Sequence, residues 1–540
     1  MALGGSFPAR DSRTWESSDD TIMFGPAPQR QRRRVFAANN SAAILNSPGC
    51  SVGCRFSLDG LAMTCTALHG SPTAFVTSAD ICATAFSFLS KDYVRSVTIS
   101  TPQYPLHGLS PSALALVPSL FPRITHLGVT GEFLWNDVLA TARAIPSGQL
   151  TSLSIACPQG GFQFDANTLS WLASSLLQLD MDGSELQEVP TSIAPLVNLR
   201  SLSLSHNRIT ALSVERFAQL TSLEELCLGS NAICALPPGL FYSMTLLKTL
   251  DMSDNELVEL PANTFEYHNR IAELSFRSNH ITELPADVFK HMPDLLLISL
   301  GFNKLRSLPP SLFASNVWLN EVSLSDNNIT EIPEGLFDYN PHITLLSFRE
   351  NFITALPPTV FQNIPKLTYL SFGQNPITEL PEDMFANLPE LRALMFGDTK
   401  IAWLPGRIFR NQAKLQALRI DDNQLLGNLS EVLLPLRSLH SLNVSHNPAL
   451  VSVGQPWALR SMSLLDISNT GIPLDASMCQ PGLTLNIRHM SSESPDALAV
   501  MMSTCMSIVD VMDISDNRLL SNVTFLQLTL ATFSVALPIR

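Results

Sequence analysis

Asparagine returns every 24 residues along the middle of this chain. Asn207, Asn231, Asn255, Asn279, Asn303, Asn327, Asn351 and Asn375 stand in strict register. Thr399 takes the next slot, and Asn423 and Asn447 resume the series. Phenylalanine follows each slot by ten residues, from Phe217 to Phe409, and proline follows by six, from Pro237 to Pro405. Three interlocked ladders of one period specify a solenoid, so function has to be read from its surface rather than from a catalytic pocket.

Each unit reads L-x-x-L-x-L-x-x-N-x-I/L-x-x-L-P-x-x-x-F, as in Leu199, Leu202, Leu204, Asn207, Ile209, Leu212 and Phe217. Leu202 and Leu204 alternate with Ser201, Ser203 and Ser205, the period-two signal of a half-buried strand. The asparagine falls where the chain leaves the strand, and a buried turn there strands backbone donors and acceptors. A carboxamide both donates and accepts, so stacked asparagines can tie neighbouring turns together. Thr399 can do only part of this, which predicts a looser turn. Each phenylalanine fills the back of its coil, contributing roughly 2–3 kcal/mol. Proline suits an extended back segment whose nitrogen needs no partner.

Over about residues 196–450 the run resembles the 24-residue subclass of leucine-rich repeats, as in the ectodomains of Toll-like receptors, small leucine-rich proteoglycans and Slit-type proteins. The resemblance implies an α/β fold: a right-handed leucine-rich-repeat solenoid, or horseshoe. A long parallel β-sheet would line its concave face, with short 3-10 or extended segments on the convex side. It is specific for fold and weak for function, because the family binds many unrelated ligands.

Along the chain, residues 1–45 read as a disordered tail with a basic run at Arg30, Arg32, Arg33 and Arg34. Residues 46–92 form a cysteine-containing cap and 93–195 degenerate repeats; 196–450 hold the regular repeats and 451–540 degenerate repeats with a second cap. Irregular ends are expected, because terminal coils meet solvent. About 17 strands at ~4.8 Å spacing give a sheet roughly 80 Å along its curve. No run of ~18 apolar residues predicts a transmembrane helix, and the stretch 523–539 is interrupted by Gln527, Thr529 and Ser534. The first 34 residues lack the apolar region of a secretory signal.

Nine cysteines are present. Cys50, Cys54 and Cys65 resemble the disulfide-bonded N-terminal cap of extracellular repeat proteins, without its third closely spaced cysteine; Cys82 is a candidate to complete two bridges. Cys479 and Cys505 flank an irregular stretch and are a third candidate pair. Cys157, Cys227 and Cys234 read as reduced, packed thiols. Cys50, Cys54, Cys65 and His69 also have a zinc-ligand spacing, although the residues between lack a finger's pattern. Sequons at Asn39, Asn328, Asn428, Asn443 and Asn522 are about as many as chance supplies, so they do not argue for secretion.

The strand residues that alternate with the buried leucines form three rows of mostly Ser and Gly. Interface hot spots favour Trp, Tyr and Arg. That rule selects Arg277, Arg349, Tyr369 and Arg419, with Glu273, Glu321, Glu350, Asp421 and Asp422 beside them, as a ligand-binding patch on a flat, accessible trough. Glu259, Glu283, Glu331 and Glu379 form an acidic stripe on one flank, able to steer a basic partner or to serve solubility alone. His206 and His446 adjoin asparagine slots and are expected to face solvent. A formal net charge of −14 argues against nucleic acid as partner. No hydrolase, P-loop, zinc-protease or kinase signature occurs, so no enzyme, cofactor or metal is expected.

The reading is a non-catalytic recognition module for a protein or glycan ligand. The resemblance places it outside the cell or on its surface, and an intracellular scaffold or signalling regulator is the alternative. A structural coat component is a third possibility.

Overall fold

The first apolar residue of each L-x-L, with the residue on either side of it, forms a three-residue strand whose middle leucine, isoleucine or valine is buried. The computed structural model describes residues 52–56, 62–67, 96–100, 117–120, 122–130, 134–156, 167–454, 462–490, 504–505 and 508–514. The tail 1–45, Cys50, His69, Cys82, Cys157, Asn39, Asn522 and the stretch 523–539 lie outside the described residues. The chain divides into two compact units, residues 1–150 and 151–540.

In the first unit an antiparallel hairpin of Val52–Phe56 and Ala62–Ala67 sets Cys54 opposite Cys65 in backbone register. Parallel pairing then begins, from Ala62–Ala67 to Ser96–Ser100 and on to His126–Thr130. The back segment that follows is a helix, Trp135–Arg143, rather than an extended or 3-10 stretch. Trp135, Val138, Leu139 and Ala142 form its buried stripe, and Asp137 in the first turn with Arg143 in the last oppose the helix dipole.

In the second unit parallel strands pair in one series. It starts with Ser152–Ala156, Gln178–Asp180 and Ser201–Ser203 and steps by 24 residues to Ser441–Asn443. It then continues through Leu464–Asp466 and Thr484–Asn486 to Val511–Asp513. The irregular stretch of the sequence is therefore itself a strand, Thr484–Asn486. Behind it a disulfide joins Cys479 to Cys505, Cα atoms 5.1 Å apart. Among the described residues no helix is long and apolar enough to cross a membrane.

Each ladder has a distinct bonding role. Asn303 Nδ2 donates to Phe276 O at 2.9 Å in the preceding turn and to Leu300 O and Gly301 O in its own, while Oδ1 accepts from Ile281 N. One side chain thus satisfies several buried backbone groups. The proline carbonyl opens the back turn, accepting from the amide three residues on, as in Leu312 N to Pro309 O at 3.1 Å. Phenylalanine rings stack from turn to turn, Phe289 on Phe313 and Phe313 on Phe337, with centroids 6.1 and 6.0 Å apart. A fourth ladder runs through the back: His268, Asn316, Asn340 and Gln412 each bond the phenylalanine carbonyl of the preceding turn. Burial holds His268 below the ordinary histidine range, so it sits there neutral.

Thr399 keeps the turn but loses the tie. Its hydroxyl donates to Phe396 O in its own turn and meets Asn423 Oδ1 in the next, and it makes no bond back to Phe372 O in the preceding one. Ile377 N, deprived of a carboxamide acceptor, turns to Asn375 O. The rings of Phe372 and Phe396 still stack at 5.2 Å, so the looseness is in hydrogen bonding and not in packing. Thr399→Asn should restore two cross-turn bonds and stabilise by about 1–2 kcal/mol, read as a raised Tm; an unchanged or lower Tm refutes this. Phe313→Ala, removing a fully buried ring, should cost about 3–5 kcal/mol in urea unfolding.

Candidate functional site

Parallel register lines up the first sheet-face row as Glu273, Leu297, Glu321, Leu345 and Tyr369. The expected flat and accessible trough is more closed than its sequence suggests. Ser275, Ser299, Ser347 and Ser371 are only 4, 2, 2 and 1% exposed. Strands packed ~4.8 Å apart leave short side chains in the shadow of longer neighbours. A Cβ on Gly373 would stand 2.6 Å from Gly397 O, and one on Gly397 would stand 2.7 Å from Asp421 Oδ1. At Gly373 the atom met is backbone, so only glycine lets the next turn approach so closely there.

The larger residues separate into three groups. Glu273 is exposed and Glu321 half-buried on the strand-entry edge; burial first, and the Glu273 charge second, raise the Glu321 carboxyl above the usual range. In the second group, Arg277 lies 4.0 Å over the Phe302 ring, and Arg349 reaches Glu350 at 3.5 Å. Tyr369 Oη donates to Met395 Sδ at 3.5 Å. In the third, Arg419 grips Asp421 at 3.3 and 3.1 Å, and Asp422 meets His446 at 3.4 Å. Asp421 is 7% exposed, which makes it a brace for Arg419 rather than a contact surface. His206 and His446 are exposed, as is the stripe Glu259, Glu283, Glu331 and Glu379. Cys227 is half-buried and Cys234 exposed, so Cys234 is not the packed thiol its repeat position implied.

Sequence reasoning missed the centre of the second group. The residue before each asparagine slot is left-handed, with φ of 55° at Phe302 and Asp326, 58° at Glu350, 53° at Gln374 and 54° at Asp398. That conformation costs a non-glycine residue roughly 1–2 kcal/mol, and the carboxamide bonds of the next residue hold it in place. It also turns the side chain out onto the strand-exit edge. Asp326, Glu350, Phe352, Gln374, Asp398 and Lys400 line a shallow cavity of about 560 Å³ there. The Asp326 and Glu350 carboxyls both face it, and the Gln374 carboxamide oxygen is buried without a partner. Phe352 stands 58% exposed beside them. The signal was available as a ladder one residue before the asparagines, carrying Asp254, Asp326, Glu350, Asp398 and Asp422.

A second surface also went unread. On the strand-entry edge Trp318, 53% exposed, stacks on His342 with centroids 4.6 Å apart, and Lys366 Nζ meets His342 Nδ1 at 2.8 Å.

Burial, followed by the bond to Glu350 and its charge, pushes Asp326 up to about 7, against the opposing pull of Arg349 and Arg277. The folded state therefore keeps a proton that the unfolded chain releases near pH ~4. This stabilisation is complete below that value and is lost as pH rises towards 7. Asp326→Asn should accordingly match wild type in Tm near pH 4–5 and gain on it progressively up to pH 8. A difference that does not vary with pH would refute the proton retained on Asp326.

The leucine-rich-repeat family profile matches this chain in overlapping segments from residue 174 to 425. No curated protein matches it in sequence. Among solved structures, Drosophila Toll in its complex with Spatzle is similar, with a TM-score of 0.60 and 20% identity over 82% of this chain and 63% of the Toll chain. TLR13 in complex with ssRNA13 gives 0.59 and 19% over 81% of this chain and 64% of that one. The plant peptide hormone receptor RGFR1 in complex with RGF2 gives 0.55 and 19% over 79% and 74%. The chain spans less than two-thirds of the Toll and TLR13 chains. At such identities the likeness speaks for the fold alone. The 24-residue turns, their asparagine and phenylalanine ladders and the profile match together make this a leucine-rich-repeat protein.

Proposed function

We propose that this chain is a non-catalytic recognition module that binds a protein ligand through basic side chains, on the sheet face and strand-exit edge between residues 273 and 422. The carrying observation is the edge cavity, lined by the Asp326, Glu350 and Asp398 carboxyls beside the exposed Phe352 ring. A guanidinium or ammonium group would displace the proton that burial keeps on Asp326, pair with the Asp326 and Glu350 carboxyls and lie against Phe352. Arg349 and Tyr369 border the same region from the sheet. TLR13 was solved with RNA, but phosphates brought to this edge would meet Asp326, Glu350 and Asp398. A glycan ligand would use the same aromatic and carboxyl groups with weaker charge dependence.

The reading extends to an extracellular or cell-surface receptor or adhesion protein, supported by the Cys479–Cys505 disulfide. The intracellular scaffold is supported instead by the thiols of Cys227 and Cys234. Intact mass of native-source protein, alkylated with and without prior reduction, separates the two. Cys479 and Cys505 protected until reduction favour the first, and fully alkylated cysteines the second.

The binding site is tested by screening the chain against arrayed secreted and cell-surface proteins and re-measuring each hit with Glu350→Gln combined with Phe352→Ala. Affinity should fall roughly a hundredfold or more, as for hot-spot losses of about 2 kcal/mol each, with Tm nearly unchanged. Undiminished binding, or hits that bind without basic residues, would refute the site.

A further inference from the structure

Three sequons fall within the described residues, at Asn328, Asn428 and Asn443, and their surroundings differ. In Asn328-Ile329-Thr330 the burial pattern is exposed, buried, exposed, with Ile329 at 0%. The two side chains that define an N-glycosylation acceptor therefore project from the same side of an extended segment, anchored by the isoleucine between them. The backbone is held as well, Asn328 N to Leu305 O at 2.8 Å. The neighbouring Asn327 commits its whole carboxamide to the ladder. That of Asn328 has no hydrogen-bond partner among the described residues and faces solvent.

The other two acceptors are engaged. Asn428 Oδ1 accepts from Ser430 N at 2.8 Å and from the Ser430 hydroxyl, the third residue of its own sequon. Asn443 lies within a strand of the sheet, its Oδ1 accepts from Ser445 N at 3.0 Å, and Ser445 is 6% exposed.

We infer that Asn328 carries an N-linked oligosaccharide. This rests on the extracellular reading above, since the modifying machinery acts on secretory proteins. Asn328 and Phe352 hold the same repeat position in successive turns, each following its ladder asparagine. A sugar at Asn328 thus borders the edge cavity on its N-terminal side and confines a ligand's approach to the sheet face and the C-terminal side.

The test uses protein from its native source, treated with peptide-N-glycosidase in heavy-oxygen water, digested and mapped by mass. Cysteine alkylation before reduction is run on the same sample. The Asn328 peptide should carry the heavy aspartate label. In expressed full-length chain, Asn328→Gln and Thr330→Ala should each remove one glycan mass, and Thr330→Ser should retain it. An unlabelled Asn328 with Cys479 and Cys505 disulfide-bonded overturns the site and leaves the extracellular reading standing. An unlabelled Asn328 with both thiols freely alkylated overturns the two together.

Discussion

One carboxamide per turn is the constraint on which the rest of this structure depends. A chain leaving a buried strand must reverse direction without water, and every peptide group in the bend then needs a partner. Asn303 shows the solution: Nδ2 serves carbonyls of two successive turns and Oδ1 takes an amide from the preceding one. Asparagine alone combines this reach with both polarities in so short a side chain. Ser184 and Thr470 show what a hydroxyl manages at the irregular ends. Ser184 reaches back to Ile155 O, while Thr470 bonds only within its own turn, to Ile467 O.

This bonding sorts the 24 positions into those the fold occupies and those it leaves open. The apolar strand positions and the back phenylalanine are buried in turn after turn, and the asparagine slot changes only at Thr399 between Asn207 and Asn447. The residue just before the asparagine is held in a left-handed backbone by its successor, but its side chain points outward and is not needed for packing. Phe302, Asp326, Glu350, Gln374 and Asp398 occupy that one position in five consecutive turns. A position with fixed geometry and free chemistry can place different functional groups at regular intervals along an edge, which is where the cavity forms.

The regular strands were legible because their period is carried by large apolar residues that cannot move without exposing a core. The strand Thr484–Asn486 was not, since it arrives only 20 residues after Leu464–Asp466 and has no asparagine beyond it. The helix Trp135–Arg143 was hidden because its stripe is short and lies among residues that also fit a degenerate repeat. His268, Asn316, Asn340 and Gln412 escaped notice because Met244, Met292, Ile364 and Leu388 fill the same slot in other turns; a polar residue in an apolar column reveals its partner only in three dimensions. At the site, Arg277, Arg349 and Glu350 were found by residue type, but Asp326 and Asp398 were not. Their exposure depends on backbone handedness, which hydrophobic periodicity does not encode.

The electrostatics of the patch follow from the same division. On the sheet face each arginine is answered locally, Arg419 by Asp421, Arg349 by Glu350 and Arg277 by the Phe302 ring. Such local pairs bring little stability at a solvated surface, but they leave acidic groups at both edges, Glu273 and Glu321 at strand entry and Asp326, Glu350 and Asp398 at strand exit. At the exit edge burial, with the neighbouring Glu350, keeps a proton on Asp326 up to about pH 7. A cation arriving from a partner would compete with that proton, so its affinity for this edge should strengthen as pH rises through the range in which Asp326 ionises. The burial that weakens the folded chain as pH rises towards 7 is thus the feature that would make its edge selective for a basic ligand.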